Sequence, residues 1–166
     1  MRLGLLLAGL LCLLVGTSAA EERIALVVGN QTYSAVSSLD NPVNDATLIS
    51  DALQMAGFEV TLLLNADQSA FKQAVAQFGR TLRAKGQETV GLFYYAGHGV
   101  QSFGTNYLLP VDAALTDAAD LDLVALEAAA VLRQMASARN RTNIIILNLL
   151  MQNGRFPTRL YPQLIP

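Results

Sequence analysis

The sequence predicts an α/β fold: a doubly wound, mainly parallel sheet with helices on both faces. Three observations lead there. Runs of almost uninterrupted apolar residues, Ile24 to Gly29, Thr89 to Tyr95 and Asn143 to Leu147, read as strands covered on both sides. Amphipathic stretches with helical spacing and identifiable caps lie between the runs. Strand and helix alternate with no internal repeat or low-complexity linker, the order of a parallel sheet joined by crossover helices.

Residues 1–20 stand apart from this pattern. Arg2 is a minimal basic start, Leu3 to Gly16 is an almost unbroken apolar run, and Thr17-Ser18-Ala19-Ala20 offers small residues for cleavage before Glu21. That arrangement predicts a secretory signal peptide, and with it a secreted or periplasmic protein. The alternative is a retained membrane anchor, but the run falls short of the ~20 residues a span needs. Cys12 follows Leu11 rather than the small residue expected before a lipid-modified cysteine, which argues against a lipoprotein.

The first strand, Ile24 to Gly29, is apolar throughout and so belongs in the middle of a sheet. A loop from Asn30 to Asn41 follows. Asn41-Pro42 opens a helix, with proline tolerated in the first turn, where its missing N–H costs nothing. Val43, Ala46, Ile49, Leu53 and Ala56 share one face of it, and Gly57 stops it. Glu59 to Leu64 is the second strand. Asp67 caps a second helix with the stripe Phe71, Ala74, Val75, Phe78 and Leu82, ending near Gly86. Thr89 to Tyr95 is the third strand, and Val100 to Leu109, with Phe103-Gly104 at its middle, reads as a hairpin. An alanine- and leucine-rich stretch from about Leu123 to Met135 reads as one helix, and Asn143 to Leu147 is the fourth strand. Past Leu150, Asn153-Gly154, Pro157, Pro162 and Pro166 interrupt any regular element. The expected organisation is therefore a signal peptide 1–20, a domain 21–150 truncated after the fourth strand, and an irregular tail 151–166. The fourth strand then lies at a bare sheet edge, open to pairing or aggregation.

Composition removes several function classes. Without residues 1–20 the chain has no cysteine, hence no disulfide, thiolate metal site or cysteine nucleophile. One histidine, His98, cannot build the usual zinc site. With Arg2 removed, ten basic residues face thirteen acidic ones, a net charge of −3, and the basic residues form no stripe for nucleic acid. The turn at Gly29-Asn30 lacks the Gly-x-Gly-x-x-Gly of a dinucleotide site. No cofactor is expected. Asp112, Asp117, Asp120 and Asp122 could offer oxygen atoms to calcium, although their spacing matches no EF-hand loop. Tyr94 and Tyr95 read as sheet packing rather than substrate contacts.

The segment Leu92-Phe93-Tyr94-Tyr95-Ala96-Gly97-His98-Gly99 delivers the single histidine from a buried strand into a glycine-flanked turn, open to a substrate, a placement that suits a general base. A surface histidine after a core strand is the plainer reading. Three further motifs accompany it: Ala25-Leu26-Val27-Val28-Gly29-Asn30 with Tyr33, Asn41-Pro42-Val43-Asn44-Asp45-Ala46, and Asn106-Tyr107-Leu108-Leu109-Pro110-Val111-Asp112. In this order and spacing, over residues 24–147, the chain resembles the caspase-like family, specifically its bacterial caspase-domain and metacaspase branch.

The resemblance implies a cysteine-type endopeptidase (a hydrolase acting on polypeptides) that prefers arginine or lysine at P1. It implies that His98 is the dyad histidine and that the Gly99 N–H is half of an oxyanion hole. Asp45 would be the acid that holds the basic P1 side chain; a first-turn acid favoured by the helix dipole is the plainer reading of Asp45. The nucleophile should follow the fourth strand in a pattern like Asp-Ala-Cys-Arg. Here the chain reads Ile145-Ile146-Leu147-Asn148-Leu149-Leu150-Met151-Gln152-Asn153. Leu150 lies fifty-two residues after His98, close to the spacing of about fifty known for caspases. Leucine has no lone pair to attack a carbonyl, and Asn148 stands where the pattern has a pocket acid. Proteolysis by the family mechanism is therefore not expected. Two explanations compete: a non-catalytic pseudoprotease module that binds basic peptide segments or protein partners, and a damaged or truncated product. The abrupt loss of nucleophile and pocket acid together favours the second. The expected partner is a polypeptide substrate or peptide ligand, with neither nucleic acid nor, once the leader is gone, a membrane.

Overall fold

The computed structural model describes residues 21–150; the signal-peptide pattern of 1–20 and the tail of 151–166 lie outside them. Along the chain come β1 (Arg23–Gly29), α1 (Pro42–Met55), β2 (Glu59–Leu64), α2 (Gln68–Lys85), β3 (Val90–Ser102), β4 (Thr105–Leu108), α3 (Leu121–Val124), β5 (Leu126–Glu127), α4 (Ala128–Ser137) and β6 (Thr142–Leu150). Four strands run parallel in the order β2-β1-β3-β6, and β4 and β5 extend antiparallel from the far end of β3.

Helices cover both faces because alternate residues of the central strands point opposite ways. Ile24, Leu26, Val28, Phe93 and Tyr95 pack with Phe71, Val75, Phe78 and Leu82 of α2 and with Val131 and Met135 of α4. Ala25, Val27, Leu92 and Tyr94 face Ala46, Ile49 and Leu53 of α1 on the opposite side. A third cluster, Tyr33, Tyr107, Leu109, Ala113, Leu121 and Ala125, lies among the loops beyond the strand ends. Asp67 caps α2 as its sequence foretells, its carboxylate accepting the Ala70 N–H at 2.7 Å. Among the described residues β6 pairs with β3 alone, and Ile144 and Ile146 on its α1 side remain 38% and 43% exposed.

Two expectations are corrected. The helix expected from Leu123 to Met135 is broken: the chain leaves α3 at Val124 and pairs Leu126 and Glu127 with Leu108 and Tyr107 before α4 begins. Helix propensity over Leu123–Met135 gives way to β4, which offers an open edge and a pocket for Leu126. Nor does the chain turn at Gly97-His98-Gly99. β3 continues to Ser102, and the hairpin closes at Phe103 and Gly104, with φ of 47° and 79°. The parallel part of β3 ends at His98, opposite Leu150 of β6, and its antiparallel part begins at Gly99, opposite Leu108. The histidine thus sits where the strand passes from one partner to the other.

Candidate functional site

The glycines around His98 are there for space rather than for a turn. A Cβ on Gly97 would come within 2.6 Å of the Tyr95 hydroxyl and 2.7 Å of the Tyr33 hydroxyl. One on Gly99 would meet Leu149 Cδ2 at 2.8 Å. Both separations are far inside van der Waals contact, so only glycine fits beside these neighbours.

His98 itself is 2% exposed, not open to a substrate as its motif suggests. The loop between β1 and α1 lies over it: the Tyr33 ring stands 4.6 Å from the imidazole at 54°, and the Ser37 carbonyl is 2.9 Å from Nε2. A carbonyl only accepts, so Nε2 carries the hydrogen, and in the neutral ring Nδ1 is the basic atom. The His98 amide donates to the Tyr33 hydroxyl at 2.8 Å. On the other side of the residue, the Tyr95 hydroxyl donates to the carbonyls of His98 and Leu109, at 2.8 and 3.0 Å. Since the one Tyr95 hydrogen is engaged there, Tyr33 is the donor in the longer 3.4 Å contact between the two phenols. Two tyrosines therefore bracket the backbone of the histidine.

Asn30 and Asn65 fix the loops around this bracket. Asn30 is fully buried; its side chain donates to the Leu109 carbonyl at 3.0 Å and accepts from the Ala66 amide at 2.9 Å. Asn65, with φ of 49°, accepts from the amides of Gln31 and Thr32. Left-handed backbone is tolerated by asparagine better than by most residues.

The sequence singles out five positions, and the structure gathers them at one end of the parallel strands. His98 and Leu150 are backbone partners in register, with Gly99 the next residue. Asp45, in the first turn of α1, lies beside Asn148 of β6, whose Nδ2 donates to its Oδ2 over 3.4 Å. The four aspartates considered for calcium do not converge. Asp112 accepts from the Gln68 amide, Asp117 from the Ala119 amide, Asp120 from Thr116 and Asp117, and Asp122 from Tyr107. Among the described residues no three His, Cys, Asp or Glu side chains are grouped to hold a metal ion.

What the residue-by-residue reading missed is the part played by Tyr33, Tyr95 and the Ser37 carbonyl. Tyr33 enters the sequence reading only as a motif residue; Tyr95 packs in the core as that reading expects, but the reading leaves its hydroxyl unaccounted for. One signal was available: a tyrosine in an all-apolar strand needs a partner for its hydroxyl.

The phenols respond to their surroundings. Burial raises Tyr33, partly offset by its hydrogen bonds with Tyr95 and the His98 amide, and burial raises Tyr95 well above the usual range. The hydrogen bond to Asp122, with burial second, pushes Tyr107 up to about 12. Because the folded values exceed the unfolded one of about 10, the stability these groups contribute is complete below that pH. It is lost as pH rises through the folded values. The expected result is a melting temperature untouched by these groups at neutral pH, falling once pH passes about 10. The phenolate absorbance contributed by Tyr33 and Tyr95 should appear only with unfolding. Full ionisation of all five phenols near pH 10 in a still-folded protein would contradict this, since it would include Tyr33 and Tyr95.

Comparison with known proteins adds three findings. The family model of the caspase domain matches residues 22–147. Human mucosa-associated lymphoid tissue lymphoma translocation protein 1 is 36% identical over 94 residues, covering 57% of this chain and 11% of that protein. The mouse homologue is 36% identical over 98 residues, 59% of this chain and again 11% of the relative. The chain thus matches about a tenth of the length of these curated relatives. The crystal structure of protein GSU0716 from Geobacter sulfurreducens superposes with a TM-score of 0.56 at 17% identity, over 76% of this chain and 48% of that one, a likeness of fold.

Proposed function

The chain belongs to the caspase domain family, and from that premise we propose that it is a secreted caspase domain that binds basic peptide segments without cutting them. One observation supports the reading: Leu150 is the backbone partner of His98, and the family resemblance leads one to expect a thiol at that position. His98 keeps its hydrogen-bonded frame, and its backbone partner is a residue whose side chain has no nucleophilic atom. Beside them, Asp45 offers one carboxylate, met by the neutral amide of Asn148 over a long 3.4 Å bond. A single carboxylate at the rim of a sheet suits one guanidinium or ammonium group. Secretion rests on the pattern of residues 1–20.

The test is binding of a labelled peptide carrying one arginine, compared with its alanine counterpart. The arginine peptide is expected to bind more tightly and to be recovered intact, with affinity falling as salt is added. Asp45→Ala should weaken it by about tenfold, the worth of one charge-assisted hydrogen bond. Equal affinity for both peptides, or no response to Asp45→Ala, would remove Asp45 from the recognition site.

A further inference from the structure

We propose that Tyr33 is a positioning residue for His98, one that holds the histidine's backbone, its ring and its tautomer together. The inference stands on the geometry of His98 alone and does not need the peptide-binding reading.

Tyr33 touches His98 in two ways. Its hydroxyl oxygen takes the His98 amide hydrogen at 2.8 Å, and its ring lies 4.6 Å from the imidazole. A third link is indirect. Tyr33 precedes by four residues Ser37, whose carbonyl receives the Nε2 hydrogen at 2.9 Å. The segment between them is moored at Ser34, whose amide and hydroxyl both reach the Val111 carbonyl, at 2.9 and 3.2 Å. The residue that fixes the His98 backbone is therefore built into the loop that fixes its ring nitrogen.

The burial of both residues gives this coupling force. His98 is 2% exposed and Tyr33 7%, so no bulk water stands ready to replace a lost partner. A buried amide left unsatisfied is costly, and movement of its backbone towards another acceptor lowers that cost. A ring hydrogen bond of 2.9 Å tolerates little movement before it weakens. Loss of the Tyr33 hydroxyl should thus release the imidazole hydrogen from Nε2 to share between both nitrogens. Tyr95, held against the His98 carbonyl, keeps the residue in the strand, so the change is one of tautomer and not of fold.

The chain contains a single histidine, which makes the measurement clean. The full-length protein is labelled with ¹⁵N-histidine, and the two ring nitrogens are read by long-range proton–nitrogen correlation at a pH where the ring is neutral. The unaltered protein should show two widely separated nitrogens, the Nε2–H tautomer alone. Tyr33→Phe should bring the two shifts measurably towards each other. Tyr107→Phe is the control: it removes another phenol hydroxyl, bonded to Asp122 at 2.6 Å in a part-buried contact, and should leave the histidine pattern unchanged whatever it does to stability. If Tyr33→Phe melts earlier but keeps the unaltered pattern, its role is structural only and the proposal falls. Should Tyr33→Phe not fold, Ser34→Ala at the exposed mooring of the same segment is read in its place. A smaller convergence of the two shifts supports the coupling, and none overturns it. Peptide binding enters neither readout, so the two readings fail separately.

Discussion

The purified protein is expected to leave an arginine-P1 peptide uncleaved, at a rate indistinguishable from that with His98→Ala. Acyl transfer by a caspase domain needs a nucleophile whose attack the histidine can assist. The backbone partner of His98 is Leu150, and no Ser, Thr or Cys stands within two positions of it. The only cysteine of the chain, Cys12, belongs to the signal-peptide pattern. Removing the nucleophile from a catalytic unit costs on the order of 10⁶ in turnover, so what is left would be below ordinary detection. Any hydrolysis that His98→Ala abolishes would show a nucleophile recruited from elsewhere and would sink the non-cleaving reading.

Leu150→Cys sharpens the same test. It places a thiol at the backbone partner of His98, yet it should restore only a small part of family-level turnover. Orientation of the substrate is worth as much as the reacting groups themselves. If the proposed peptide-binding reading holds, Asn148 supplies a neutral amide where the resemblance expects an acid, which leaves Asp45 as the one carboxylate for a basic P1 side chain. Leu149 also packs against Gly99, where the oxyanion N–H is expected, its Cδ2 within 2.8 Å of where a Cβ would stand. Leu150→Cys with Asn148→Asp should therefore exceed Leu150→Cys alone. Turnover from Leu150→Cys equal to that of an intact caspase domain would show that neither neighbour matters.

The parallel strands, the first two helices and the Asp67 cap were legible because their causes are local; Asn41 at the start of α1 makes no side-chain cap bond. Asp67 lies three residues from the amide it caps, and the stripe of Phe71, Val75, Phe78 and Leu82 repeats at helical spacing. The family resemblance, with fifty-two residues separating the two positions, pointed to Leu150 as the nucleophile position; what the structure adds is that Leu150 is the backbone partner of His98. The surroundings of His98 were not legible. Gly-His-Gly reads locally as a turn, whereas these glycines make room for Tyr33 and Leu149, 64 and 50 residues away along the chain. The overrun of the helix at Leu123 has the same origin: the competing partner, β4, is a tertiary neighbour that no window around Leu126 contains. Misreadings concentrate where non-local contacts override local preference, and here that is the site.

Asn30 gives the second large expected effect, this time on stability. It ends the central strand fully buried and is held at three points. Its amide donates to the Ala96 carbonyl at 2.9 Å, its side-chain nitrogen to the Leu109 carbonyl, and its side-chain oxygen accepts from Ala66. One residue thus joins the end of β1 to Ala96 within β3 through its backbone, and to the loops that follow β2 and β4 through its side chain. Asn30→Ala keeps the backbone bond but strands the Ala66 amide and takes a donor from Leu109, whose carbonyl keeps the Tyr95 hydroxyl. At about 1–3 kcal/mol for each buried polar group left short, the expected loss is about 2–4 kcal/mol. Asn30→Asp is nearly isosteric and should be worse at neutral pH, because it puts a charge in a buried site and turns a donor into an acceptor facing the Leu109 carbonyl. Burial raises the folded pKa of such an acid above its unfolded value of about 4. Its stability is then greatest when protonated, as a donor to Leu109, and falls as pH rises through the folded value. Urea unfolding at pH 4 and pH 7 checks both variants. Asn30→Asp should recover towards the unaltered protein in acid and Asn30→Ala should not. A loss under about 0.5 kcal/mol for Asn30→Ala would mean that water can replace the side chain, and that the loops around His98 do not depend on it.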